Sequence, residues 1–206
     1  MENGNRGANC SYSYLEVILQ ALSTYKQTNS AFKFHVYGVE DRLGWPHMGI
    51  EGMSGYEQEL KELSCSLGLE DNVLFHGFVK REEIDRERQG IKVIMLIASL
   101  HSDENFGMAA FRYLLNGHQT VLTHWGGHVD LARNFKERVD IVEVDKGEGG
   151  PKVSHEKFFD ALVSAVAKYP NSSNTQIPDY YYNLTAEYKK IVDLKKISGM
   201  LPLPEV

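Results

Sequence analysis

Long apolar runs are missing from this chain of 206 residues. No window approaches the roughly 20 consecutive apolar residues that cross a bilayer, so no transmembrane segment is expected. Cysteine is scarce: Cys10 and Cys65 can form at most one bridge. That excludes a disulfide framework and points to free thiols in a reducing compartment, hence a cytoplasmic protein, with a position at a membrane periphery left open. A basic excess is also lacking, with 22 Lys and Arg against 28 Asp and Glu and a net charge of −6. Nucleic-acid backbones are bound by clustered Lys and Arg, so no nucleic-acid partner is expected, although a local anion pocket remains compatible. No repeat of fixed period appears. The glycosylation-type triplets at Asn9, Asn171 and Asn183 follow no apolar signal segment and are read as chance. What is present, 42% hydrophobic and 24% charged residues, is the composition of an ordinary globular domain.

Along the chain, helical and extended patterns alternate. Leu15, Ile18, Leu19 and Leu22 recur at helical spacing within Tyr14 to Tyr25, and Phe32 to Tyr37 reads as a strand. A loop rich in glycine follows Gly38. Tyr56 to Leu67 reads as a helix closed by Gly68, Val73 to Phe75 as a strand, and Arg81 to Arg88 as a polar helix. Lys92 to Ala98 is nearly all apolar, which predicts a strand buried on both faces at the centre of the domain. Met108 to Leu115, Val129 to Phe135 and Ser154 to Tyr169 then read as helices, the last with Ser154 as its N-cap. Thr120 to Thr123 and Asp140 to Val144 read as the strands between them. This order predicts an α/β fold, a Rossmann-like parallel sheet with helices on both faces, over residues 1–170. Beyond Pro170 the composition shifts to Asn, Ser, Thr and Gln. Residues 171–206 are read as a linker, a terminal helix opened by the Tyr180 to Tyr182 cluster, and a loose tail.

Sheets of this kind bind ligands beyond the carboxyl ends of their strands. The loop after the apolar strand runs from Ser99 to Gly107 and gathers His101, Ser102, Asp103, Glu104 and Asn105 just before a helix. A helix start offers unpaired N–H groups and a positive dipole end, so Phe106, Gly107 and Met108 can hold a phosphate through their backbone. Glu104 can accept sugar hydroxyls, or Asp103 and Glu104 can simply cap the helix. His124 and His128 bracket Trp125, Gly126 and Gly127 at a spacing open to a metal, but two glycines favour a turn, and no metal or other cofactor is expected. Glu40 and Asp41 follow a strand and can line a site or remain solvated. His76, His101 and His118 have no evident partner and receive no catalytic role.

Five pieces in this order, Phe34 to Gly38, the Leu63 to Val79 stretch, Glu104 to Gly107, Gly117 to Val121, and Gly126-Gly127, resemble the C-terminal half of family 4 glycosyltransferases. The resemblance spans residues 32 to 135. It implies one half of a GT-B fold that binds a nucleoside-diphosphate sugar for transfer to another molecule, with retention at the sugar carbon. The resemblance places the backbone of Gly77 and Phe78 against the base and gives Glu104, the catalytic candidate, the transferred sugar. Asn105, Phe106, Gly107 and Met108 then face sugar and diphosphate, and Gly38, after its strand, is counted with the residues that line the site. The acceptor, a glycan, a lipid or another molecule, is expected on an N-terminal domain or partner chain not contained here.

Two departures from the family pattern stand out. Arg112 occupies the position, eight after Glu104, where the family has a second glutamate that accepts the ribose hydroxyls. Arginine has donors only and cannot reproduce that pairing, though it can contact a phosphate. Near the N-terminus the family sets an arginine and a lysine on the diphosphate; here Ser13 stands at the lysine and only Arg6 is nearby. These departures keep two alternatives open, a non-catalytic GT-B-like interaction module and a nucleotide-sugar epimerase-like enzyme.

Overall fold

The computed structural model describes residues 14–40, 44–45, 50–51, 54–87, 93–100, 107–148 and 150–168. All of them lie in one compact unit, 1–173. The expected linker and terminal helix after Pro170, with Tyr180 to Tyr182, lie outside the described residues. In chain order the elements are α1 (Leu15–Lys26), β1 (Phe34–Val36), β2 (Gly44–Trp45), β3 (Ile50–Glu51), α2 (Tyr56–Ser66), β4 (Val73–Phe75) and α3 (Arg81–Glu87). They continue as β5 (Ile94–Ile97), α4 (Met108–Leu115), β6 (Gln119–Thr123), α5 (His128–Asn134), β7 (Val139–Val142), β8 (Asp145–Gly147), β9 (Gly150–Lys152) and α6 (His155–Lys168).

Periodicity explains most of these elements. In α1 the buried residues are Ile18, Leu19, Ala21 and Leu22, one stripe at helical spacing, and in α6 they are Phe158, Ala161, Leu162 and Ala165. These two stripes meet each other over the strands, forming the core with Val121, Val142 and Ala98. Ser154 caps α6 as expected, its Oγ accepting from the N–H of Lys157 at 3.3 Å. In β1, Phe34 and Val36 join the core while His35 between them is exposed, the period-two pattern of a strand.

The strands form parallel sheets flanked by helices, a Rossmann-like half of a GT-B fold. β1 pairs with β4, and β5, β6 and β7 pair in that order, all parallel. The expectation that the Lys92 to Ala98 strand is the fully buried centre is corrected. β6 is the wholly buried strand, because β5 and β7 flank it on both sides. The four residues of β5 are only partly buried, since among the described residues β5 pairs on one side alone. Two hairpins also went unanticipated, β2–β3 within the glycine-rich loop and β8–β9 between β7 and α6.

Helix α1 shows that both sheets point the same way. The N–H of Tyr14, at its start, bonds to Ala98 O just past the carboxyl end of β5 at 2.7 Å. At its other end Lys26 Nζ reaches Gly68 O, and Ser23 Oγ reaches Leu67 O, on the approach to β4. A helix of 12 residues is about 18 Å long, enough to run the height of the domain. The carboxyl ends of all five parallel strands therefore lie on one side of the unit.

A buried carboxylate fastens α6 to the larger sheet. Asp140 on β7 accepts from Gln119 Nε2 at 2.9 Å, Ser164 Oγ at 2.6 Å and Lys168 Nζ at 2.6 Å. A charge taken from water is tolerated when its lone pairs are filled in this way.

Candidate functional site

At the carboxyl end of the smaller sheet, two predicted residues are brought into direct contact. The N–H of Gly38 donates to Gly77 O at 2.8 Å, and that of His76 to Val36 O at 3.0 Å, carrying the β1–β4 ladder past the strand ends. Both glycines have positive φ, +123° and +65°, and neither has an atom within 4 Å of where a Cβ would stand. Backbone conformation, then, and not crowding, is what asks for glycine here. Beside them Phe78 is 79% exposed and Val39 68% exposed. A phenyl ring left in water at a strand end offers a flat apolar face beside the bonded Gly38–Gly77 backbone.

His76 does have partners, contrary to the sequence-based expectation. Its Nε2 lies 2.9 Å from His35 Nδ1, and its ring stacks on Tyr37 with centroids 4.6 Å apart. Tyr37 in turn donates to Glu87 Oε2 of α3 at 3.3 Å. Glu40 is occupied elsewhere, since its Oε2 accepts from the N–H groups of Gly55 and Glu57 and so caps the start of α2.

At the carboxyl end of the larger sheet, Gly107 is the N-cap of α4, with φ +69°. A Cβ on it would meet His128 Cδ2 at 2.8 Å and Leu131 Cδ1 at 3.1 Å. The space Gly107 leaves is therefore filled by α5. Met108 and Arg112 stand one turn apart on α4, both exposed. Arg6, Glu104, Asn105 and Phe106 lie outside the described residues, as do Ser13 and His101.

The turn after β6 is tight, as the glycines predicted: Trp125 N–H bonds to Thr123 O at 2.8 Å and His128 N–H to Trp125 O at 3.1 Å, with Gly126 at φ +50°. It sends the two flanking histidines apart. His124 Nδ1 pairs with Glu143 Oε2 at 2.9 Å, while His128 is fully buried. Among the described residues no group of three His, Cys, Asp or Glu is arranged to hold a metal.

Sequence reasoning missed Ser99 and Thr123. The hydroxyl of Thr123, the last residue of β6, donates to Ser99 O at 2.6 Å and accepts from Ser99 N–H at 3.1 Å. The same oxygen lies 3.4 Å from His128 Nδ1. The only available signal was a hydroxyl residue closing an otherwise buried strand. A surface pocket of about 420 Å³ between Lys26, Phe32 and Asn72 lies at the amino ends of β1 and β4 instead. Both lysines lining it bond to backbone carbonyls, Lys26 to that of Gly68 and Lys33 to that of Asp71.

Residues 11–147 match the glycosyl transferases group 1 family. A stretch of 87 residues is 36% identical to mannosylfructose-phosphate synthase of Agrobacterium fabrum, covering 39% of this chain and 18% of that enzyme. The structure is similar to the C-terminal domain of the group 1 family protein LpcC from Francisella tularensis, with TM-score 0.54 and 17% identity over 78% of this chain and 74% of that one. It is also similar to WaaG, a glycosyltransferase involved in lipopolysaccharide biosynthesis, with TM-score 0.52 and 15% identity over 83% of this chain. The chain thus spans 18% of the length of the synthase and 43% of that of WaaG.

Proposed function

The chain belongs to the glycosyl transferases group 1 family, and from that premise we propose that it is the donor-binding half of a retaining GT-B glycosyltransferase acting on a nucleoside-diphosphate sugar. The observation that carries this reading is the clustering of exposed backbone and an exposed aromatic ring at the carboxyl ends of parallel strands, with Gly38 bonded to Gly77 and Phe78 beside them. In this reading the base lies against Gly77 and Phe78, the transferred sugar against Glu104 and Asn105, and the diphosphate against the backbone from Phe106 to Met108.

In the proposed reaction the bond between the anomeric carbon and the diphosphate oxygen breaks, an acceptor hydroxyl oxygen takes its place on the same face, and the hydroxyl proton passes to the departing diphosphate. Charge develops on the departing diphosphate, so donors arranged at the start of α4 lower the barrier without any covalent intermediate on the chain. Arg112, one turn further on, supplies a cation toward that charge, and Arg6 a second. The acceptor is held by an N-terminal domain or a partner chain. No cofactor takes part.

A calorimetric panel of uridine, guanosine, adenosine and thymidine diphosphates with their sugars tests the proposal. One base is expected to bind, and its sugar form more tightly than the bare diphosphate. Binding by none would favour the second reading, a non-catalytic module of the same fold, which the Arg112 and Ser13 departures support.

A further inference from the structure

We propose that His35, His76 and Tyr37 form a binding site for one divalent transition metal ion of the zinc, nickel and copper class. The site uses side chains on which the proposed reaction does not draw, so it stands or falls separately from the donor reading.

The backbone fixes where these side chains stand. His35 is the middle residue of β1, and Phe34 and Val36 on either side of it turn into the core. Side chains alternate across a strand, so His35 and, two residues on, Tyr37 share the opposite face. The ladder sets His35 against Leu74 of β4, and the bond from His76 N–H to Val36 O carries it past Phe75, which brings His76 onto that same face beside Tyr37. Both histidines are exposed. Their polar ends converge. His35 Nδ1 lies 2.9 Å from His76 Nε2 and 3.5 Å from Tyr37 Oη. The imidazole planes differ by 4° with centroids 5.0 Å apart, so at that nitrogen separation the rings lie side by side, edge to edge. The Tyr37 ring stacks on His76 with centroids 4.6 Å apart, which brings its oxygen to the same junction.

One proton serves this junction. Tyr37 donates its own to Glu87 Oε2, so its oxygen meets His35 favourably with the proton on His35 Nδ1, and that same proton faces the lone pair of His76 Nε2. Once that proton leaves Nδ1, a metal ion takes the three lone pairs together. Atoms bound to one ion at about 2.0–2.2 Å sit about 2.9–3.5 Å from one another, for bond angles from square to tetrahedral. The two separations at His35 Nδ1 are those of such a set. Two imidazoles and a phenol select nitrogen-binding transition ions over Mg²⁺ and Ca²⁺, which take oxygen ligands. Glu87, holding the phenol proton, stands where an outer carboxylate orients a ligand. The histidines come from two strands locked by their ladder, so little order is left to impose when the ion binds.

The test titrates Zn²⁺, Ni²⁺ and Cu²⁺ calorimetrically into the full chain, with Mg²⁺ as the control. Zinc is expected to bind at this site with one equivalent, and Mg²⁺ not to bind there. His35→Gln and His76→Gln, which keep size and polarity, are each expected to weaken zinc binding by at least about a hundredfold, and Glu87→Gln by about tenfold. Tyr37→Phe is expected to fall between them. His124→Gln, which removes the histidine paired with Glu143, is expected to leave the affinity unchanged. Electron paramagnetic resonance of the copper-loaded parent is expected to show two imidazole nitrogens on the metal, and one in either histidine variant. Failure of all three transition ions to bind, zinc binding that survives both histidine substitutions, or its loss in His124→Gln overturns the site. So does a parent copper spectrum with fewer than two nitrogens, a result that needs no variant to fold. No nucleotide enters the experiment, so the panel of diphosphates can fail without touching it.

Discussion

At the scale of single residues, glycines carry the site for two different reasons, and substitution separates them. Gly38→Ala adds a Cβ to open space and costs only the backbone strain of its positive φ, about 1–3 kcal/mol. Gly107→Ala adds the collision with His128 and Leu131, and its cost in denaturant unfolding is expected to exceed that of Gly38→Ala by about 1–3 kcal/mol. The need for glycine was legible in the sequence, at 38 as the close of a strand and at 107 as backbone open to a phosphate at a helix start. Its cause at 107 was not, because His128 lies 21 positions away on another helix. Arg112 is the residue whose role the sequence raised most sharply. Arg112→Ala is expected to weaken nucleoside diphosphate binding by about tenfold, the worth of one hydrogen bond to a charged group. Calorimetry that finds affinity equal to the parent would return Arg112 to the solvent-facing surface of α4.

At the scale of elements, two attachments hold helices where the strands need them. Asp140 ties α6 to β6 and β7, so Asp140→Ala strands the donors of Gln119, Ser164 and Lys168. A loss of about 1–3 kcal/mol in unfolding free energy is expected, and Asp140→Asn should recover part of it. Tyr56 joins α2 to α1. Burial first, and the Glu16 carboxylate second, push its phenol above the ordinary value of 10.0. In the unfolded chain it ionises from about pH 10, while in the folded chain it stays neutral to higher pH, so its contribution is intact below that point and is lost as pH rises beyond it. Denaturant midpoints taken from about pH 9 to about pH 11 should fall for the parent and fall less for Tyr56→Phe. The longer helices were legible because they repeat their apolar residues at three- and four-residue spacing, as α1 and α6 do. The β2–β3 and β8–β9 hairpins were not, since β2 and β3 are two residues each and β8 has no buried residue, so neither hairpin carries the apolar pattern that marked β1 and β4.

At the scale of the whole molecule, the proposed site is one-sided: the strands present their carboxyl ends together, and in the proposed reaction the acceptor must come from a second body. The chain alone is therefore expected to bind a nucleotide sugar without transferring it. Adding an acceptor-binding half should restore transfer, read as release of nucleoside diphosphate that depends on both proteins. Release at the same rate without the second half would place the whole reaction in this chain. Among the described residues no helix is long and apolar enough to cross a membrane.

The sequence by itself determined the alternation of helices and strands, the parallel α/β class, the family, and the glycines that mark each strand end. All of these are local patterns, written in spacings of two to four residues or in short motifs. Only the tertiary structure decided that β6 and not β5 is the buried strand, that His76 joins His35 and Tyr37, that Glu40 caps α2, and that Thr123 bonds both backbone groups of Ser99. Each of these joins residues distant in the chain, such as Ser99 to Thr123 across 24 positions and His35 to His76 across 41. No periodicity encodes such pairs, because what brings them together is the packing of elements whose own signals concern only their nearest neighbours.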